Sequence, residues 1–133
     1  MKKLITLLTL AVFVLSMTAV ALADTGTFAF SLEPPVEQFT ETVKKADSEQ
    51  NFYVTVTKHN LKDGDSFWFG PRYGSTAMSA GLRFDNKKAL AQVAPYTKKA
   101  YAGYYYKLRG NSRTNDITSG SMYTITVDGR WTP

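Results

Sequence analysis

NFYVTVTK, Asn51 to Lys58, alternates apolar and polar side chains one for one. Phe52, Val54 and Val56 share one parity, and Tyr53, Thr55 and Thr57 share the other. A helix would repeat its apolar residues every three or four positions. A period of two is the mark of a strand with one face in a core. The β-branched valines and threonines suit that backbone, because their stiff side chains pack well on a pleated surface.

Working outward, the same period recurs. In SMYTITVDGRW, Tyr123, Ile125, Val127 and Trp131 line up against Thr124, Thr126 and Asp128. In AMSAGLRF, Met78, Ala80, Leu82 and Phe84 oppose Ser79, Gly81 and Arg83. Shorter runs, TFAFSL (Thr27 to Leu32) and SFWFG (Ser66 to Gly70), place Phe28, Phe30, Phe67 and Phe69 in register. Turn residues separate them. Lys62-Asp63-Gly64-Asp65 reads as a type I′ hairpin turn. Glu33-Pro34-Pro35 and Gly70-Pro71 read as strand ends, since proline donates no ladder hydrogen bond. Asp85-Asn86 and the polar run from Gly110 to Gly120 close others. Glu37 to Ala46 fits a helical turn or a strand, and Lys87 to Ala94 reads better as a strand. Six to eight short strands at this spacing predict an all-β fold, a small antiparallel β-sandwich.

The chain begins MKK, continues through an apolar run from Leu4 to Ala23, and turns polar at Asp24. A positive start, an apolar middle and Ala21-Leu22-Ala23 read as a helical signal peptide cut after Ala23. The expected organisation is residues 1–23 as signal peptide and residues 24–133 as one secreted domain. Cysteine is absent, so an exported domain of this size would be held by packing alone, without disulfides. Charge is divided unevenly. Asp24 to Ser66 carries eight acids and four lysines, whereas Phe67 to Pro133 carries three acids and ten lysines and arginines. Because halves of a sandwich interleave in space, this reads first as an ordinary solvated surface. Gathered on one face, the same cations would attract an anionic polymer or lipid headgroups.

KKAYAGYYYKLRG, Lys98 to Gly110, holds four tyrosines within six residues. Strand parity sends Ala102, Tyr104, Tyr106 and Leu108 toward the core and leaves Tyr101, Tyr105 and Lys107 outside. The run resembles the base-stacking strand of RNA-binding domains, but an exported chain excludes nucleic acid as its partner. In FWFGPRYG (Phe67 to Gly74), the core-facing phenylalanines turn Trp68 outward, with Arg72 and Tyr73 following. Exposed aromatics beside cations suit sugar stacking, lipid interfaces or protein hot spots. The expected ligand-binding residues are therefore Trp68, Arg72, Tyr73, Tyr101, Tyr105 and Lys107.

Catalysis has little to stand on: Glu37 and Glu41 could serve as the paired carboxylates of a glycosidase, but Glu37 to Glu49 reads as a polar surface stretch. His59 is the single histidine and precedes a turn, a place for a solvated side chain. There is no nucleophile elbow and no cysteine nucleophile. Asp63-Gly64-Asp65 is too short for a calcium loop. The expectation is a non-enzymatic protein with no metal site and no cofactor.

In order of elements the chain resembles a family of small secreted proteins of Gram-positive bacteria grouped as a domain of unknown function. The shared features are the signal peptide, the Phe28-x-Phe30 strand, the Tyr53 to Thr57 strand and the Phe67-Trp68-Phe69-Gly70 strand. The tyrosine-rich strand Tyr101 to Tyr106 and a closing strand ending at Trp131 complete them. In size, export and strand layout it is also similar to lactococcin-type β-sandwich bacteriocins. Those resemblances imply a cell-envelope-binding or bacteriocin-like factor, and no catalytic residue carries over. The expected partner is an anionic or sugar-bearing cell-wall component or a membrane surface. The alternative is a self-assembling extracellular surface or matrix protein whose sheet edges pair. Protein recovered from the medium should begin at Asp24, as N-terminal sequencing would show; a product retaining Met1 in the membrane fraction would refute both cleavage and secretion.

Overall fold

A computed structural model describes residues 24–133; the expected signal peptide lies outside the described residues. Ten strands occur among them: β1 (Gly26–Leu32), β2 (Glu37–Phe39), β3 (Val43–Lys44), β4 (Asn51–His59), β5 (Ser66–Tyr73), β6 (Thr76–Ala77), β7 (Leu82–Asp85), β8 (Ala91–Pro95), β9 (Tyr105–Asn111) and β10 (Ile125–Thr132). Seven have four residues or more. They form two antiparallel sheets packed as a sandwich. One has the order β1-β10-β4-β8; the other runs β2-β9-β5-β6, with β3 also pairing β9 and β7 pairing β5.

Strand parity explains the core. Phe28, Phe30 and Leu32 of β1, Phe52, Val54 and Val56 of β4, and Ile125, Val127 and Trp131 of β10 are all buried. Facing them from the other sheet are Phe67, Phe69, Leu82, Phe84, Tyr106 and Leu108. Contact across the interlayer space is aromatic: the Phe28 and Phe69 rings lie 5.3 Å apart, and those of Phe30 and Phe67 5.7 Å. Glycine makes room for them. A methyl group at Gly110 would lie 2.6 Å from the Phe30 ring, and one at Gly129 would collide with Phe28 and with the Thr55 carbonyl oxygen.

Two glutamines pair with backbone through their side chains. The Gln38 carboxamide accepts from Ser31 N–H at 2.9 Å and donates to the Ser31 carbonyl at 2.7 Å, covering the outer edge of β1. Gln50 does the same for Ala100, with both bonds at 2.9 Å. An open sheet edge invites wrong pairing, and the Gln38 amide occupies that of β1, whereas Gln50 ties down the loop at Ala100.

Several local expectations are corrected. The Lys62 to Asp65 turn is real, with Asp65 N–H bonded to the Lys62 carbonyl. It joins β4 in one sheet to β5 in the other, so it is a crossover and not a hairpin. Only Gly64 has positive φ there (+87°), whereas a type I′ turn needs two such residues. Gly70-Pro71 does not end a strand, because β5 runs through to Tyr73. β7 pairs Ser66 to Phe69 and β6 pairs Arg72 and Tyr73, leaving Pro71 opposite a gap where no N–H is required. That gap also breaks Met78 to Phe84, expected as one strand. Gly81 adopts φ +96° and Ala80 is exposed. Glu37 to Ala46 resolves into the two short strands β2 and β3. The polar run from Gly110 begins inside β9, and Gly110, Asn111 and Ser112 are buried.

Ile125→Ala removes a fully buried side chain from a central strand and should cost about 2–5 kcal/mol in urea unfolding. Its exposed neighbour bears none of that packing, so Thr124→Ala should cost less than about 1 kcal/mol. Equal losses would contradict the faces assigned to β10.

Candidate functional site

β5 sits inside its sheet, with β9 on one side and β6 and β7 on the other. All four strands come from the basic part of the chain. Their outward rows therefore collect cations, and the solvated, interleaved distribution expected from sequence does not hold on this sheet. Register pairs Arg72 with Lys107, Gly70 with Arg109, Trp68 with Asn111 and Trp68 with Arg83. β3 and β2 add Lys44 opposite Tyr105 and Phe39 opposite Arg109.

Acids on this face are few and engaged. Glu37 pairs with Arg109 at 3.3 Å, and Asp85 with Arg83 at 2.8 Å. Arg72 and Lys107 face each other as like charges, an arrangement that disfavours a sheet. Arg72 turns one nitrogen to the Ser75 carbonyl at 3.1 Å. The Lys107 ammonium lies over the Phe39 ring at 4.5 Å. Together with Glu37, Gly74 and Ser75 these side chains line a cleft of about 220 Å³. Burial, and after it the charge of Arg72, pull the Arg109 pKa below its ordinary value. The face is crowded with positive charge.

Trp68 is half-buried on the same face. Gly81 lies against its ring, where an added methyl group would approach to 3.3 Å, and the Arg113 guanidinium stands 5.8 Å over it. Three buried polar atoms in this region have no hydrogen-bond partner: Trp68 Nε1, Arg109 Nε and Asn111 Oδ1. Two donors and one acceptor thus sit beneath the cationic surface.

The expected tyrosines divide differently. β9 starts only at Tyr105, and Ala102-Gly103 forms a turn with Gly103 at φ +83°. Tyr106 goes to the core, but Tyr104, expected there too, is exposed. Its ring lies 5.4 Å from Tyr101 and 5.5 Å from Tyr73, so three exposed tyrosines form a row at one end of the sandwich. The row is held from beneath. Tyr106 accepts a hydrogen bond from Tyr101 N–H at 2.9 Å, and the Lys45 backbone bonds Gly103 and Tyr104. The Lys45 side chain is itself buried, donating to Asp47 at 3.1 Å and to the Pro133 carbonyl at 3.0 Å. Tyr105 lies apart, lining a cleft of about 560 Å³ with Gly26, Glu41 and Lys44 among others.

The six residues singled out from sequence therefore fall into three places. Trp68, Arg72 and Lys107 share the cationic face, Tyr73 and Tyr101 belong to the tyrosine row, and Tyr105 lines the large cleft. Sequence reading missed Phe39, Arg83, Arg109 and Arg113 on the face, and Tyr104 in the row. Parity along β9 and β7 would have found Arg109 and Arg83. Phe39 and Arg113 depend on pairing and loop placement.

His59 is half-buried, not solvated. Phe84 meets its ring edge-on at 5.4 Å, and Nδ1 accepts from Leu61 N–H. Among the described residues no group of three or more His, Cys, Asp or Glu side chains is placed to hold a metal ion. No family model, no curated protein and no solved structure matches the chain. These comparisons neither favour nor oppose the resemblance to the secreted Gram-positive family or to the lactococcin-type bacteriocins.

Asp65 holds the loop that carries Arg113 to Trp68. Fully buried, it accepts from Thr118 N–H and Ser119 N–H at 2.8 and 2.9 Å, and from the Ser119 and Tyr123 hydroxyls at 2.6 and 2.7 Å. Burial alone would push its carboxyl upward, but these hydrogen bonds outweigh it and hold the pKa below the ordinary 3.8. A depressed pKa gives stability that is complete above the unfolded-state value and is lost as pH falls through the folded one. Asp65→Asn, which turns an NH2 group toward two donating hydroxyls, should lower the urea midpoint at pH 7. The gap to the parent should narrow below pH 3.8; a gap independent of pH would show that the carboxylate charge is not what the loop requires.

Proposed function

We propose that this chain is a secreted, non-enzymatic protein that binds an anionic, sugar-bearing component of the bacterial cell envelope, in the manner of a bacteriocin-like factor. The observation that carries this reading is the outer face of β5 and β9. There Arg72 and Lys107 stand opposite each other with Arg109 beside them. Like charges across a ladder weaken a sheet, and an anionic ligand bridging them removes that repulsion.

The aromatic groups extend the same reading. Trp68 and Phe39 offer flat apolar surface among the cations, and the Tyr73-Tyr104-Tyr101 row offers more at the sandwich end. Tyrosine rings present large contact area at little entropy cost, which suits the apolar faces of sugar rings. Because the row is fixed by backbone hydrogen bonds, little ordering remains to be done on binding.

Sedimentation of the protein with wall fragments tests it, alongside growth inhibition of Gram-positive cells. Binding should fall as salt is raised from low ionic strength to about 0.15 M, where exposed charges are screened beyond roughly 8 Å. Arg72→Gln and Lys107→Gln should each weaken binding and flatten that salt dependence, with thermal stability equal to or above the parent. Trp68→Ala should also reduce binding, with a small loss of stability because the ring is half-packed. If both charge variants sediment like the parent, the cationic face is not the contact surface.

A further inference from the structure

The outer face of the four-stranded sheet has a different chemistry. Its strands β1, β10, β4 and β8 contain only three formally charged residues that point outward: Lys58, Asp128 and Arg130. The rest of the face is small or uncharged, with threonines along β4 and β10 and with Ala29, Ser31, Ala91 and Val93 on the flanking strands. Val93 is 56% exposed and Tyr53 40%, and they line a shallow hollow with Thr55 and Ala91. This face carries few charges, and its ladder is interrupted between Asp128 and Gly129, where Thr57 of β4 bulges out without a partner on β10.

Asp128 and Arg130 make no ion pair or side-chain hydrogen bond within the described chain. They stand two positions apart on one row of β10, opposite Ala29 and Thr27 of β1, with inward-facing Gly129 between them. A two-fold axis lying in the face, perpendicular to β10 and passing at Gly129, reverses β10 over a copy of itself. Asp128 then meets Arg130 of the second copy, and Arg130 meets its Asp128. The same rotation lays β4 over β4. Lys58 is level with Asp128, and Thr55 is level with Arg130. Lys58 therefore meets a threonine, and no cation is set directly against another.

We propose that this face is an interface between two copies of the chain, packed sheet on sheet and registered by the reciprocal Asp128–Arg130 pairs. A two-fold interface must be self-complementary, and two opposite charges on one row about a pivot satisfy that condition. Small β-branched side chains let the sheets approach closely, and few charges need to be desolvated. The occupant is a second copy because the surface supplies both halves of its own charge pattern. The dimer does not depend on the envelope-binding reading. If that reading holds, the two cationic faces point outward on opposite sides, and one dimer can hold two stretches of polymer with the gain of linked sites.

The test is the oligomeric state of the purified protein by sedimentation velocity across a concentration series. The parent should run at twice the mass of one chain at high concentration and dissociate on dilution. Asp128→Arg and Arg130→Asp should each weaken the dimer by about tenfold or more, since each sets like charges together. Mixing these two variants should restore a dimer between them, and the doubly exchanged D128R/R130D protein should dimerise with itself. Thermal unfolding of each variant establishes that the sandwich is intact; all changes are at exposed or half-exposed positions. A parent that stays monomeric at every concentration overturns the proposal. So does a dimer indifferent to both single reversals, which would place the contact elsewhere, for example at the open edge of β8. A folded mixture or double exchange that stays monomeric overturns it equally. Because wall binding is read separately, loss of the dimer with binding retained refutes this interface alone.

Discussion

Four phenylalanines clamp the two sheets of this protein together. Phe28 and Phe30 reach across from β1, and Phe67 and Phe69 answer from β5, with neighbouring rings in contact at 5.1 to 6.3 Å. Such rings bury much area and tolerate few alternative packings, so they set the separation and relative position of the sheets. The backing glycines make the clamp specific. Gly129 is the ladder partner of Phe28, and Gly110 lies under Phe30 from the opposite layer. A side chain at either place would force the ring out of the core. With no cysteine in the chain, this packing holds the sheets together without disulfides.

Everything on the surface follows from how that clamp orients the strands. With Phe67 and Phe69 inward, the alternate residues Trp68 and Arg72 must face out; with Tyr106 and Leu108 inward, so must Lys107 and Arg109. The result is a sandwich with two unlike outer faces. One gathers arginine, lysine, tryptophan and phenylalanine, and carries the envelope-binding proposal. The other is threonine-rich and nearly neutral, and carries the dimer proposal. Polar groups inside the molecule are used for positioning. Asp65 fixes the loop that follows Arg113, Lys45 fixes the tyrosine turn, Gln38 substitutes for missing strand backbone beside β1, and Gln50 holds the loop at Ala100.

Much of the fold was legible because period two is a local property. Each of β1, β4, β5 and β10 shows which side chains face inward without knowledge of its neighbours, and their buried rows agree with that reading. Punctuation was less legible. Gly70-Pro71 looks like a stop, and is harmless only because the chain that returns as β6 and β7 leaves a gap beside it. Parity also fails where a strand has not begun: Tyr104 was counted with Tyr106, but the turn at Gly103 precedes it and leaves its ring in solvent.

By itself, then, the sequence determined the class of fold, the inward rows of its long strands and the presence of outward aromatic and basic residues. Those depend on alternation along one chain segment, which chemistry dictates locally. Which outward residues share a face was decided only by the tertiary structure, because it depends on strand order. Lys62 to Asp65 has the residues of a hairpin turn, yet it carries the chain from one sheet to the other. Had it made a hairpin, β4 would lie beside β5 and its threonines would stand among the arginines. The crossover instead places β9 against β5, bringing Lys107 and Arg109 to Arg72 across 35 and 37 residues of chain. Contacts of such long separation are set by the packing of whole sheets, and no local pattern encodes them.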